Sequence, residues 1–537
     1  MLFVGVFFLW PVIALVATGL TSGGQLDLGG IPEVLGLERS WRVLQNTLVQ
    51  ASLATVVAIL LGVPAAYVLY RLEFRGRAVL RALLTVPFVL PAVVVGVAFT
   101  ALFGPGGALY WLGFDRSLVV VVLALAFFNV TVVARTVGGY WAQLDTRQGQ
   151  AARTLGAGPV RVFCTVTLPA LGPALASAGA LVFLFCATSF GVVLILGGRE
   201  FANIETEVYR LTVQFLDLRS AAVLSLVQFA IVALALIASA LLRSRNERAQ
   251  EVRIEVRAPR RTDAPVLAVF GVTVLLLHVL PIGALVWRSL QGPRGVGISF
   301  ANYRALFDPP ERSPLHGSVV DAALLSFGIA CVATLIAVTL GMLVSLIVSR
   351  RPRSAALRRG IAVYDAAIML PLGISAVTLG FGLLLTMHKP LGIGFDLRTS
   401  VVLIPIAQAL VALPLVVRTL TPVLRSIDPR TREAAMMLGA SPLRVLRTID
   451  FALLGRSAGL ALGFAFAVSL GEFGATAFLV RPDAQTLPVA IAALVGSPDP
   501  ASYGMALAAS VVLGAIAAGI MVVAERWRVD SGVGGSW

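Results

Sequence analysis

One segment of this chain occurs twice, and this repeat constrains the fold more than any other sequence feature. Residues 150–162 read QAARTLGAGPVRV, and residues 433–445, 283 positions further on, read EAAMMLGASPLRV. Three further pairs share this spacing: Arg135 with Arg418, Asp145 with Asp428, and the Phe-Gly pair at 190–191 with that at 473–474. A fixed long spacing at several separated positions indicates that one unit was duplicated and fused.

The composition predicts a membrane protein. The 537-residue chain is 58% hydrophobic and 13% charged, with a mean hydropathy of +0.92, whereas about a quarter of the residues of soluble domains are charged. The apolar runs are long enough for helices that cross the bilayer, which need roughly 20 residues each. They lack the alternating pattern of a transmembrane barrel. We therefore expect an all-α polytopic membrane protein.

We predict about 12 membrane-spanning helices, arranged as two repeats of six. Their expected bounds are about 2–20, 45–70, 81–104, 117–140, 172–197, 218–242, 264–289, 318–349, 361–386, 399–422, 456–480 and 502–525. The first run lacks the basic leader and the cleavage site of a secretory signal, so we expect it to be retained. Pro87 and Pro371 lie at matching positions in the third and ninth spans and predict shared kinks.

Arginine residues concentrate in alternate loops, which predicts the orientation of the chain. The arginine-rich loops are residues 71–81, 147–161, 243–261, 350–359, 425–456 and 526–528. By the positive-inside rule we expect these loops and both termini to be cytoplasmic. An even number of spans separates the two motifs, so the repeats have parallel topology. We predict a first half at 1–242, a cytoplasmic linker at 243–263 and a second half at 264–537.

Several function classes find no support in the residues. The net charge of +15 resides in loops beside apolar runs, which argues against nucleic-acid binding. The cysteines, Cys164, Cys186 and Cys331, show no ligand spacing, so no metal site is expected. The only lysine is Lys389, followed by proline, so the chain cannot form a P-loop. We expect no enzyme activity and no cofactor bound by this chain; any ATP hydrolysis must occur on another polypeptide.

The second copy of the motif predicts a short helix, a tight corner and a second helix. Asp428 and Pro429 are suited to the N-cap and the first turn. Gly439 is placed to end the helix in a left-handed conformation, and Ser441 with the following proline starts the next helix. The first copy repeats this scheme with Asp145 as the cap, Gly156 as the stop and Gly158-Pro159 as the restart.

One face of each short helix carries small and apolar residues. Alanine pairs at 151–152 and 434–435 permit close approach of another backbone, and Leu155 and Leu438 continue the same face. This pattern predicts a surface that docks a soluble protein. The alternative is an amphipathic turn that lies on the lipid headgroups, held there by Arg161 and Arg444.

The motif resembles the cytoplasmic loop of permease subunits in binding-protein-dependent ABC importers. In that family the short helix, called a coupling helix, seats in a groove of the ATPase subunit. The resemblance implies two coupling loops, at residues 143–169 and 425–452, each bound by one copy of a soluble ABC ATPase that holds ATP and Mg²⁺. The implied contact residues are Gln150, Ala151, Ala152, Gly156 and Ala157 in the first loop, and Glu433, Ala434, Ala435, Gly439 and Ala440 in the second. Gln150 replaces the usual glutamate, and Ala452 stands where the first copy has the family's Pro169, which suggests unequal contacts.

Fused two-copy permeases of this kind are similar to the thiamine and ferric-iron importers. The segments SLGEFG at 469–474 and TLP at 486–488 resemble the thiamine permease more than the iron permease. The resemblance implies the permease of an ATP-driven importer whose solute, a small cation such as thiamine, is delivered by an extracytoplasmic binding protein. Ferric iron is the alternative cargo. An ion-coupled secondary transporter is the other alternative, but residues 71–81 and 349–359 do not match its Gly/Asp/Arg loop pattern.

Three polar residues are candidates for the substrate pathway. Glu472 is a carboxylate in the outer third of an apolar span, where it could favour a cation. The alternative is a carboxylate satisfied by the backbone or by an arginine. Ser189 is its counterpart in the first half. Asn129 is polar at depth in the fourth span, where a hydrogen bond between helices is the favoured role and substrate contact the alternative.

Overall fold

The computed structural model describes residues 2–22, 25–243, 256–292, 297–310, 312–350, 352, 354–390, 394, 396–481 and 483–529. Apart from isolated bridges, its only β structure in these residues is an antiparallel pair of two-residue strands, β1 (Thr21–Ser22) and β2 (Gln25–Leu26). The predicted all-α membrane fold is confirmed. Most of the predicted linker, residues 244–255, lies outside the described residues.

The helices of the first half follow one another with short connections. They are α1 (Leu2–Leu20), α2 (Gly30–Gly36), α3 (Glu38–Arg71), α4 (Arg77–Val89), α5 (Ala92–Phe103), α6 (Leu118–Ala142), α7 (Arg147–Thr154), α8 (Pro159–Ala187), α9 (Gly191–Leu196), α10 (Ile204–Val213) and α11 (Leu218–Arg243). The predicted boundaries of the two halves stay predictions.

The second half repeats this order. Its helices are α12 (Arg261–Ser289), α13 (Ala301–Arg304), α14 (Val319–Val348), α15 (Ala355–Met369), α16 (Ala376–Thr386), α17 (Leu403–Arg425), α18 (Pro429–Met437), α19 (Phe451–Gly471), α20 (Thr476–Leu479), α21 (Leu487–Gly496) and α22 (Pro500–Val529). Helix α19 is entered through the turn Pro442–Val445 and the π-helical turn Leu446–Asp450.

The duplication is visible in the structure at the spacing of 283 residues. Helices α10 and α21 begin and end at corresponding positions, and the π-helical turn Phe163–Thr167 inside α8 corresponds to Leu446–Asp450. A similar helix contact occurs in both halves, although its two glycines are 279 positions apart and not 283. A Cβ on Gly62 would lie 2.6 Å from Val133 Cβ, and one on Gly341 would lie 2.5 Å from a γ-carbon of Val416. In both halves, therefore, a glycine lets two long helices approach closely.

The number of long helices is smaller than the predicted 12 spans. Nine helices among the described residues are long and apolar enough to cross a membrane, or ten if the pair bent between Gly455 and Ala458 is one span. The third and ninth predicted spans are each broken into two helices, α4 with α5 and α15 with α16. A mean hydropathy does not detect such breaks, because the residues on both sides remain apolar.

Prolines explain where these spans break. Pro371 lies in a 3₁₀ turn, Leu370–Gly373, between α15 and α16, as the sequence predicts. The first half differs, because α4 continues past Pro87 to Val89 and the break falls at Pro91, the N-cap of α5. Pro91 has no N–H to donate to the preceding turn, so it begins a helix more easily than it continues one.

The two halves interlock through their first helices. The C-terminal part of α1 packs against α16 of the second half, where a Cβ on Gly382 would lie 3.0 Å from Pro11. In the reciprocal contact, the last part of α12 packs against α5 of the first half, and Arg288 donates a hydrogen bond to the Ala101 carbonyl at 3.2 Å. The first long helix of each half therefore packs on a helix of the other half.

Candidate functional site

The second coupling loop has the predicted helix and corner. Helix α18 begins at Pro429, and the Asp428 carboxylate accepts the Arg430 N–H at 2.9 Å. The helix ends in a left-handed glycine, Gly439, with φ of +83°. The Gly439 N–H donates to the Met436 carbonyl and the Ala440 N–H to the Ala435 carbonyl, both at 3.0 Å. These two bonds form a Schellman cap, which satisfies carbonyls that the helix end leaves unpaired.

The first coupling loop repeats this geometry. Gly156 also has φ of +83°, and its N–H donates to the Arg153 carbonyl at 3.0 Å, while the Ala157 N–H donates to the Ala152 carbonyl at 3.0 Å. Asp145 accepts the Arg147 N–H at 2.9 Å. Helix α7 begins one position later than α18 in the aligned register, since Thr146 stands where the second copy has the helix-starting Pro429.

Each corner presents an apolar side chain to the outside. Leu155 is 88% exposed and Leu438 is 89% exposed, and Met437 beside it is 88% exposed. We call these leucines, with the exposed Ala151 and Ala434 one helical turn earlier, the contact faces of the two loops. Exposed apolar side chains that are rimmed by polar residues are typical of surfaces that contact a protein or a membrane.

The other predicted contact residues lie on the same two turns. Gln150 and Glu433 are exposed, as are Gly156 and Gly439, whereas the remaining alanines are half-buried: Ala152, Ala157, Ala435 and Ala440. A Cβ on either glycine would meet no atom within 4 Å. The second face is the more apolar one, because Met436-Met437 stand where the first copy has Arg153-Thr154. Their role in docking stays a prediction.

Of the predicted pathway residues, Glu472 is held by the polypeptide itself. Its carboxylate accepts the N–H groups of Ala475 at 2.7 Å and of Thr476 at 3.0 Å, and the Thr476 hydroxyl at 2.5 Å. It thus caps the short helix α20. At a helix N-terminus, the N–H groups that lack a partner within the helix and the helix dipole favour a negative charge. This is the backbone-satisfied arrangement that was the alternative to a pathway role, and the pathway role stays a prediction.

Asn129 and Ser189 occupy different surroundings. Asn129 is buried and donates to the Leu125 carbonyl at 2.8 Å and to Cys186 Sγ at 3.3 Å, so it links α6 with α8. This is the favoured hydrogen bond between helices. Ser189 is half-buried, and its carbonyl accepts the Asn203 amide at 2.6 Å. Substrate contact by either residue stays a prediction.

Equivalent aromatic rings meet where the halves join. Phe190 and Phe473, which correspond in the repeat, stack with ring centroids 5.1 Å apart. Tyr209 contacts Phe190 at 5.3 Å and Phe478 at 5.4 Å. Ser189 and Glu472 directly precede the stacked rings, so the structure brings these two candidates to the same interface. The repeated Phe-Gly pair was the sequence signal for this contact.

Sequence analysis missed a buried acid at this interface. Glu205, on α10, is 1% exposed and accepts the Ser375 hydroxyl of the second half at 2.5 Å. It lies outside the nine long helices. Burial raises the pKa of Glu205 to about 8, although the hydrogen bond from Ser375 acts in the opposite direction. The sequence shows Glu205 as an acid close to apolar residues. It does not show its partner, Ser375, which lies 170 positions away.

Comparisons with known proteins agree with the predicted resemblance. Residues 58–249 match the family of binding-protein-dependent transport system inner membrane components. The thiamine transport system permease protein of Brucella abortus (strain 2308) is 25% identical over 96% of this chain and 92% of that protein. The corresponding protein of Escherichia coli (strain K12) is 26% identical over 85% of this chain and 84% of that protein. The crystal structure of a bacterial ABC transporter involved in the import of alginate covers 46% of this chain and 93% of its own, at 16% identity and a TM-score of 0.39.

Proposed function

We propose that this chain, a fused two-domain permease of the binding-protein-dependent ABC importers, forms the whole membrane pathway of its transporter. It is a multi-pass inner-membrane transport subunit rather than an enzyme. Two copies of a soluble ABC ATPase bind the two coupling loops, and ATP and Mg²⁺ are held by that ATPase. Both coupling loops and both chain termini face the cytoplasm.

The observation that carries this proposal is the pair of contact faces. The two coupling loops are spaced by 283 residues. They have the same φ at the corner glycine, the same cap hydrogen bonds and the same exposed leucine. A turn that merely lay on the headgroups would not need the same corner in both copies. A pair of identical grooves on two ATPase copies would require it.

The contacts between the halves suggest how closure of the ATPases moves the membrane helices. Closure of the two ATPases would move α7 and α18, and hence the helices that follow them, α8 and α19. The stacked Phe190 and Phe473 lie between the halves, so a rocking movement separates or joins these rings. To reverse a 1:99 distribution of two arrangements, nucleotide must favour one of them by about 5.5 kcal/mol.

The cargo we propose is a small cationic solute, thiamine, delivered by an extracytoplasmic binding protein. Support comes from the relatives, whose names refer to thiamine transport and which align over nearly the full chain. Ferric iron remains the alternative within the same class of importer.

Affinity purification of the tagged chain from its native membrane tests the proposal. We expect a soluble ABC ATPase to be retained, and its retention to be lost when both Leu155 and Leu438 are replaced by aspartate. Proteoliposomes with the ATPase and the binding protein should then take up labelled thiamine when ATP is supplied, without an ion gradient. Uptake driven by an ion gradient in the absence of any ATPase would overturn the proposal, and ATP-driven uptake of ferric iron alone would replace the cargo.

A further inference from the structure

A fully buried carboxylate lies near the end of the second coupling loop. Asp450, at the end of the π-helical turn that leads into α19, is 0% exposed. Arg350 Nη2 lies 2.8 Å from its Oδ2, and Arg432 Nε donates to its Oδ1 at 2.8 Å. Both carboxylate oxygens are therefore paired with a guanidinium group. A buried ion pair tolerates the loss of one partner poorly, because the remaining charge stays desolvated.

The three residues come from separate elements of the second half. Arg432 lies on the coupling helix α18 and is largely buried, and its Nη2 also donates to the Leu424 carbonyl in the last turn of α17 at 3.3 Å. Arg350 follows the end of α14. The Asp450 carboxylate thus joins the coupling helix to the helix before it, the helix after it and the long helix α14.

The first half cannot form this ion pair at the corresponding positions. At the spacing of 283 residues, Gly149 stands where the second copy has Arg432, and Thr167 stands where it has Asp450. Glycine has no side chain, and a threonine hydroxyl carries no charge. The two coupling loops are therefore alike in their caps and contact faces. In the described residues, this charged connection to the membrane helices belongs to the second coupling loop.

We propose that Asp450 is a positioning residue that fixes the second coupling helix to the membrane helices through Arg432 and Arg350, so that the two coupling helices transmit movement unequally. The second coupling helix, α18, moves α14, α17 and α19 as one unit. The first coupling helix, α7, is displaced further before α8 moves with it. The unequal transmission rests on the proposed coupling to an ATPase. The unequal rigidity of the two helices does not.

Amide hydrogen exchange of the full chain in lipid nanodiscs, without any ATPase, tests the rigidity. Replacement of Asp450→Asn should accelerate exchange in residues 431–440 by about tenfold or more, since exchange in a secondary element reports the free energy of its local opening. Residues 148–157 should exchange as in the wild type. The matched control is Arg447→Gln, which removes an exposed arginine from the same π-helical turn and should leave both loops unchanged.

Transplanting the ion pair provides the converse measurement. The double variant Gly149→Arg with Thr167→Asp places the two charges at the corresponding positions of the first half. A Cβ on Gly149 would meet only Val162, at an ordinary 3.6 Å, so the backbone leaves room for a side chain. We expect exchange in residues 148–157 to slow, and the single variant Gly149→Arg to give no such protection.

The outcomes separate the two parts of the inference. If Asp450→Asn fails to fold, Arg432→Gln removes only one of the two arginine partners and should accelerate exchange in the same residues. Unchanged exchange in residues 431–440 in both Asp450→Asn and Arg432→Gln overturns the proposal.

With the ATPase present, we expect Asp450→Asn to raise the amount of ATP consumed per solute imported, and an unchanged ratio refutes the unequal transmission. Failure of the wild-type chain to bind any ATPase would refute the proposed function and leave the exchange result standing.

Discussion

The corner glycines offer a perturbation whose cost can be worked out from the backbone alone. Gly439 has φ of +83°, in the left-handed region that residues with side chains rarely adopt. A Cβ at this position would meet no atom within 4 Å, and the same is true of Gly156. An added Cβ therefore meets no neighbour, and the main expected effect of Gly439→Val is backbone strain.

The magnitude follows from the left-handed conformation. An L-residue in this conformation costs roughly 1–2 kcal/mol, which corresponds to a factor of about 5–30 in an equilibrium constant. The strain acts on the Schellman cap, and relief of the strain turns Leu438 away from its place on the contact face. We expect the affinity of the ATPase for the chain to fall by about that factor in Gly439→Val, and by a similar factor in Gly156→Val.

The assay is the dissociation constant of the ATPase for the chain in nanodiscs, measured with ATP-driven solute uptake. Gly158→Val is the matched control, because Gly158 has an ordinary φ of −65° and no atom within 4 Å of an added Cβ. It should bind the ATPase as the wild type does. Wild-type affinity and uptake in Gly439→Val would refute the account of the corner, as would an equal loss of affinity in Gly158→Val.

Three further results are expected. Leu438→Asp alone should reduce the amount of co-purified ATPase and leave the thermal unfolding temperature unchanged, because this side chain is 89% exposed in the isolated chain; a lowered unfolding temperature would contradict its assignment to a docking surface. Since burial raises the pKa of Glu205 from 4.5 to about 8, the folded chain should lose stability as pH rises from the lower towards the higher of these values and should lose no more above it; unfolding temperatures at pH 6 and pH 9 should differ more in the wild type than in Glu205→Gln. Gly341→Val places a Cβ 2.5 Å from a γ-carbon of Val416 and should destabilise the fold by about 1–3 kcal/mol, whereas Gly328→Val, on the same helix but in open space, should not lower the unfolding temperature.

The repeat was informative because it combines signals from a few neighbouring residues with a relation between two distant parts of the chain. The capping aspartates and the corner glycines are local signals, so their conformation could be predicted from a few neighbouring residues. Their recurrence 283 positions later predicted two equal parts of one fold. The hydropathy predicted the apolar spans but not their breaks at Pro91 and Pro371, because it averages over the residues on both sides.

The polar candidates show the limit of this approach. Glu472 was singled out as an unusual carboxylate in an apolar run, but its hydrogen bonds to Ala475 and Thr476 depend on a helix that begins just after it. Asp450 drew no attention, since an acid near a cytoplasmic loop is ordinary in sequence. Its significance arises from burial and from two arginines that lie elsewhere in the chain.

The sequence by itself determined that this chain crosses a membrane by helices and that its two glycine corners come in matched copies. Both conclusions follow from chain-local properties, the length of apolar runs and the conformational preferences of aspartate, proline and glycine. Only the tertiary structure decided which half carries the charged connection, because Arg350 and Asp450 are 100 positions apart and meet only after α14 and α19 have packed. It likewise decided that Phe190 and Phe473 stack between the halves, since the strength of such a contact depends on distance in space and not on distance along the chain.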